Sequence, residues 1–162
     1  MKNTILALAL IAGIGGCDLG EQASTSIEPL SATFQMTDTS GRQTTNFRSG
    51  EDFEMGFTVS NTARKTLTYH VGSSGPVVIF QILQGDSVVA TSVDGYAFLM
   101  VVVTGHIQPG QSLGERWRGP NTPARNPQIV LDPGPYTVRA SFVGFDEVEI
   151  EPVSPIAFSI VQ

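Results

Sequence analysis

A single cysteine, Cys17, stands in the 162 residues, so no disulfide can form within the chain and no zinc site can be built on thiolates. Two histidines, His70 and His106, are too few for a catalytic zinc site unless a carboxylate joins them. Basic residues are scarce: 9 Lys and Arg stand against 15 Asp and Glu, giving a formal charge of −6. Nucleic acid is excluded as a partner on that balance, because phosphate binding requires a basic face. No apolar run reaches the roughly 20 residues of a membrane-spanning helix. No phosphate-cradling Gly-x-x-x-x-Gly-Lys loop and no dinucleotide fingerprint is present. What the chain does have is 41% hydrophobic and 15% charged residues, the balance of a folded body, and a length that fits one domain.

The first residues read as a targeting signal. Lys2 supplies one positive charge, residues 4–14 are almost wholly apolar, and Gly15, Gly16 and Cys17 follow. A charged start, a short apolar run and small residues at its end describe a secretory signal peptide over residues 1–16. The sequence Ile14-Gly15-Gly16-Cys17 resembles the bacterial lipobox, in which the Cys becomes diacylglycerylated and, after cleavage, acylated on its amino group. The alternative is an ordinary signal peptide with an incidental cysteine. With Cys17 lipidated, several acyl chains at about 0.8 kcal/mol per buried methylene make a permanent anchor. The domain behind it is acidic and would be repelled by anionic headgroups, so the lipid alone is expected to hold it. Residues 18–29 are polar and small and read as a flexible tether, with a reach of roughly 20 Å. The expected location is the bacterial cell envelope, anchored on the exported side of a membrane.

From residue 30 to residue 162 the chain reads as strands. Phe53, Met55, Phe57 and Val59 alternate with Glu54, Gly56, Thr58 and Ser60; Leu67, Tyr69 and Val71 repeat the pattern, as do Tyr136, Val138, Ala140 and Phe142. Weaker copies are Ala32, Phe34, Met36 and Ile156, Phe158, Ile160. Residues 76–83 are apolar on both faces, as in a central strand, and Gly85-Asp86 predicts a two-residue hairpin into residues 87–91. Residues 96–103 form a second apolar run, read as another strand. Many short strands separated by Gly, Pro, Asn and Asp predict an all-β, antiparallel sandwich of immunoglobulin-like type.

Catalytic patterns fail on context. Gly110-Gln111-Ser112-Leu113-Gly114 matches the nucleophile elbow by letter, but that motif needs a strand-to-helix turn and a later histidine. Both histidines precede Ser112, and a strand-like segment follows it, so the match reads as a turn. His70 is expected on a polar strand face and His106 in a Gly-rich turn, both as solvated residues. Glu147, Glu149 and Glu151 would share one solvent face; calcium binding there is the alternative, although the spacing matches no calcium loop. Neither a metal nor a cofactor is expected, and the chain is not read as an enzyme. One stretch fits recognition: residues 118–127 hold Pro120, Pro123 and Pro127 between Arg118 and Arg125. Such a stiff loop loses little entropy on docking into a protease cleft, and the alternative is a stiff connector between strands.

The order of landmarks resembles the intracellular proteinase inhibitor (BsuPI) family over residues 48–142. They are Phe57-Thr58-Val59-Ser60-Asn61, the Thr-Leu-Thr-Tyr strand, Gly75-Pro76-Val77-Val78-Ile79-Phe80, the Gly-Asp hairpin with Val88-Val89, Pro109-Gly110-Gln111, Trp117, and Leu131-Asp132-Pro133-Gly134-Pro135-Tyr136-Thr137. Ala90 departs from the pattern, which carries an aromatic there. The resemblance implies an immunoglobulin-like sandwich in which Trp117 and Tyr136 fill the core, and a protein that binds and inhibits a serine protease. It supplies no inhibitory residue position by position. The second expectation is a non-inhibitory structural or adhesive module that presents a sheet edge to another envelope protein.

Overall fold

Alternation in the sequence becomes ten β-strands: β1 (Leu30–Asp38), β2 (Asn46–Arg48), β3 (Phe53–Asn61), β4 (Leu67–Val71), β5 (Val78–Gln84), β6 (Ser87–Thr91), β7 (Val103–Ile107), β8 (Ser112–Gly119), β9 (Gly134–Phe142) and β10 (Ile156–Val161). The structure is a computed structural model, and it describes residues 30–120, 128–144, 150 and 153–162. The expected signal peptide, Cys17, the tether and the acidic positions 146, 147, 149 and 151 lie outside the described residues.

The chain is an all-β sandwich of immunoglobulin-like type, and no helix occurs among the described residues. One sheet has the order β1-β3-β8, the other β2-β10-β9-β5-β6, and β4 pairs with β7 in a separate ribbon. Pairing is antiparallel except for β2, which lies parallel to β10. Strand β3 buries every second residue along its whole length, Phe53, Met55, Phe57, Val59 and Asn61. From the opposite sheet Phe80, Ile82, Val138, Phe158 and Ile160 close the core, and Trp117 of β8 lies 6.4 Å from Phe80 between ring centroids. Fully burying such side chains contributes roughly 1.5–3 kcal/mol each.

The Gly85-Asp86 hairpin forms as expected, with Gly85 at φ 60° and Gln84 opposite Ser87. Two features were invisible in the alternation. β2 is only three residues long, yet Phe47 is buried against Phe53 and Phe158. The β3–β4 junction is tied by Asn61, whose Nδ2 donates to the carbonyls of Lys65 (2.9 Å) and Ile107 (2.7 Å).

The strand expected over residues 96–103 does not form. Of that run only Val103 is in a strand, as the first residue of β7. Periodicity cannot separate a buried strand from an apolar loop; here the partner β4 pairs with the residues that follow, Leu67 opposite Ile107 and Val71 opposite Val103. His106 therefore stands on a strand and not in a turn. Gly105 beside it is required by packing, since a Cβ there would overlap the Tyr69 ring lying across it. Ser112, read as part of a turn, opens β8.

Candidate functional site

Strand β8 alternates as sharply as β3 does. Arg116 and Arg118 lie on its outer face, where both reach Glu54 (3.3 and 3.0 Å), while Trp117 between them is buried. Glu115 shares the Trp117 side of the strand and is half-buried. β8 is also the outer strand of its sheet.

Between β8 and β5 lies a cleft of about 160 Å³, lined by Val78, Phe80, Ser92, Tyr96, Phe98, Glu115, Arg116, Trp117 and Pro76. Its floor is apolar and Glu115 stands at its border, while the Arg116 guanidinium is held by Glu54 on the outer face of the strand. The segment bearing Tyr96 and Phe98 is pinned at several points. Ser92 N–H donates to the Phe80 carbonyl and its Oγ accepts from Phe80 N–H, both at 3.0 Å. Asp94 then accepts from Thr91 N–H and Oγ1, each at 2.7 Å, and Gly95 turns the chain at φ 75°. Beyond Phe98, Leu99 N–H donates to Ser74 Oγ and the Leu99 carbonyl accepts from Ser74 N–H, both at 3.0 Å. Tyr96 and Phe98 stack with centroids 6.2 Å apart and planes 14° from parallel. Gly75 gives the Phe98 ring its space, since a Cβ there would press on the ring and on Ser73.

The residues singled out in the sequence do not converge on this cleft. Arg118, expected to open a loop, is on β8 and bound to Glu54. Pro120 lies against the body of the domain, lining a small recess with Phe53, Ile129, Leu131 and Ile160. Pro123 and Arg125 lie outside the described residues. Ser112 Oγ is 2.7 Å from Ser60 Oγ across the β3–β8 pair. His70 Nδ1 lies 2.9 Å from Thr104 Oγ1, and His106 Nδ1 lies 3.1 Å from Thr68 Oγ1. Those pairs follow from register, Thr68 opposite His106 and His70 opposite Thr104. Among the described residues no group of three or more His, Cys, Asp or Glu side chains is placed to hold a metal.

The cleft itself was missed, because two of its four aromatics, Tyr96 and Phe98, sit in the run read as a strand. The signal that could have found it is the Asp94-Gly95 turn just before Tyr96, which marks a break at the start of that run.

No family model and no curated protein matches the sequence. Likeness is to solved structures alone. The CARDB domain of the PF1109 protein from Pyrococcus furiosus, solved in complex with di-metal ions, is 13% identical at a TM-score of 0.43, over 85% of this chain and 98% of that one. Pseudomonas fluorescens alkylpurine DNA glycosylase AlkC, bound to DNA containing an abasic site analog, is 13% identical at a TM-score of 0.43; 83% of this chain covers 31% of it. Listeria innocua β-glucosidase is 10% identical at a TM-score of 0.40, with 81% of this chain covering 16% of it. The chain thus spans about a third or less of these two enzymes.

Proposed function

We propose that the chain is a lipid-anchored envelope protein whose β-sandwich binds another protein, the partner class being a serine protease that it blocks sterically, without catalysis of its own. The observation that carries the binding reading is the cleft between β5 and β8. Its volume of about 160 Å³ is below the roughly 300–1,000 Å³ of small-molecule sites, and suits one or two side chains of a protein partner. An apolar, aromatic floor beside a charged group is the anatomy of a protein interface, in which buried aromatics contribute most of the energy. The outer strand β8 runs beside the cleft, and an extended partner segment can add to such an edge. The protease as partner class is supported by the resemblance to the proteinase inhibitor family.

One observation favours the non-inhibitory reading. Arg118 and Pro120 are engaged with the domain itself, the first through Glu54, and a cleft-filling loop would need them free. Titration of the purified protein into a panel of subtilisin-like and trypsin-like enzymes separates the two. Stoichiometric loss of turnover supports inhibition; unchanged turnover at large excess removes it and leaves the binding module. That module is tested by cross-linking in the envelope, where loss of the captured partner on Phe98→Ala is expected.

A further inference from the structure

Beyond the cleft, residues 99–103 turn five consecutive apolar side chains to solvent. Leu99 is 71% exposed, Met100 89% and Val102 69%, with Val101 and Val103 also exposed. Apolar side chains exposed together at a loop tip mark a contact surface. We propose that this tip is a membrane-contact loop, seated among the headgroups and upper acyl chains of the bilayer that holds the protein. The inference rests on the lipid anchor of the proposed function, but on neither the cleft nor the protease.

Three observations select a bilayer as the occupant. The first is charge. Residues 95–114 contain no Asp, Glu, Lys or Arg in a chain of formal charge −6. The tip can therefore approach anionic headgroups without the repulsion that the rest of the surface carries. The second is reach. The described structure begins at Leu30, opposite Asn61, and the Asn61 side chain holds the carbonyl of Ile107 at the end of β7. Val103, at the other end of that strand, is about 13 Å away at the usual rise. With residues 18–29 as the tether expected from the sequence, a reach of roughly 20 Å would keep this part of the domain close to the bilayer. The third is shape. A five-residue tip is small beside the roughly 20–30 residues a side of a standard protein interface, whereas a bilayer accepts a protrusion of any outline.

Backbone pairing sets the depth. Leu99 exchanges two hydrogen bonds with Ser74, and Val101 N–H donates to the Leu99 carbonyl at 3.1 Å. An irregular segment of this kind fits the hydrated interface and not the hydrocarbon centre, where every backbone group needs an internal partner.

The test places an environment-sensitive fluorophore on Met100→Cys in the full chain, purified with its lipid and reconstituted into phosphatidylcholine–phosphatidylglycerol vesicles. Arg139→Cys, on β9, is the reference position. A blue shift at position 100 that brominated lipids quench, with none at position 139, is the expected result. In protein that carries no lipid, the same probe is titrated with excess vesicles and reads the loop without the anchor. There, Leu99→Ser with Val102→Ser is expected to weaken partitioning roughly tenfold or more. A water-exposed probe in both preparations overturns the proposal. So does a blue shift that grows with protein concentration in the absence of vesicles, which would assign the tip to a second copy of the chain. A shift that needs an added envelope protein overturns it in favour of a protein partner.

Discussion

The Tyr136 hydroxyl donates a 2.7 Å hydrogen bond to the carbonyl of Asp132, four residues upstream. This is the tyrosine corner of immunoglobulin-like sandwiches, in which a tyrosine at the start of a strand fastens the preceding crossover to the body. Burial first, and the Asp132 charge second, push the phenol above its ordinary value, against the opposing effect of the hydrogen bond to the Asp132 carbonyl. The ring itself stacks on Phe158 at 5.6 Å. Tyr136→Phe keeps that stacking and leaves the carbonyl without its partner. Asp132 is exposed, so water can replace the hydroxyl, and the expected loss is about 0.5–1.5 kcal/mol, read as a lower urea midpoint with an unchanged slope; an unchanged midpoint would show that the corner contributes nothing.

Tyr136 also shows what the sequence can and cannot deliver. Its place in the core, and its need for a partner, follow from the alternation Tyr136, Val138 and from an aromatic that carries a hydroxyl. The identity of the partner does not, because a backbone carbonyl four residues away leaves no mark on side-chain pattern. The same division holds elsewhere. β1, β3, β4, β9 and β10 were legible from period two, β5 from a run apolar on both faces, and β6 from its Gly85-Asp86 turn. β2 was not, because three residues cannot display a period. Residues 96–103 misled for a different reason: an unbroken apolar run states only that water is unfavourable, not that the protein's own core is what replaces it. The cleft was lost with that run, since Tyr96 and Phe98 matter by being held outside the sheets.

The β1–β2 turn should confer acid sensitivity. Asp38 Oδ1 accepts from the Ser40 hydroxyl (2.6 Å), Ser40 N–H (2.9 Å) and Arg42 N–H (3.0 Å), and Oδ2 meets the Arg42 guanidinium at 3.0 Å. The Ser40 hydroxyl foremost, then the Arg42 and Ser40 N–H groups and the Arg42 side chain, hold the carboxyl down from 3.8 to about 2 against the opposing effect of burial. A depressed folded value means that the stabilisation is present above the unfolded value and is lost as pH falls through the folded one. Asp38→Asn should therefore flatten the stability profile between pH 3.8 and about 2, the two ends of that shift. Superimposable acid limbs for the two proteins, followed by thermal unfolding, would refute the assignment.

Asn61 joins three pieces of chain through one buried amide. Besides the two carbonyls that its Nδ2 serves, its Oδ1 accepts from Ala63 N–H at 2.9 Å, and its backbone pairs with Gln111 and Gly110. Asn61→Ala removes the amide and strands the buried Ile107 carbonyl, for an expected cost of roughly 2–4 kcal/mol over the bonds lost. Hydrogen exchange should show the protection loss concentrated in β4 and β7, which this side chain ties to β3. Uniform loss across both sheets would mean that the ribbon is not held separately.

The cleft makes the sharpest functional prediction, because its aromatic wall can be changed without touching the core. Tyr96 is partly exposed and Phe98 half-buried, whereas Trp117 and Phe80 beneath them are fully buried. Tyr96→Ser with Phe98→Ser should leave the unfolding midpoint within about 1 kcal/mol of the parent, since loop aromatics outside the sheets lose only partial burial. Binding should fall far more, because truncating an aromatic anchor at an interface centre costs about 2 kcal/mol or more, a factor of roughly 30 in affinity. Full affinity in the double serine variant, measured against the captured partner by calorimetry, would move the contact surface away from the cleft and back toward residues 118–127.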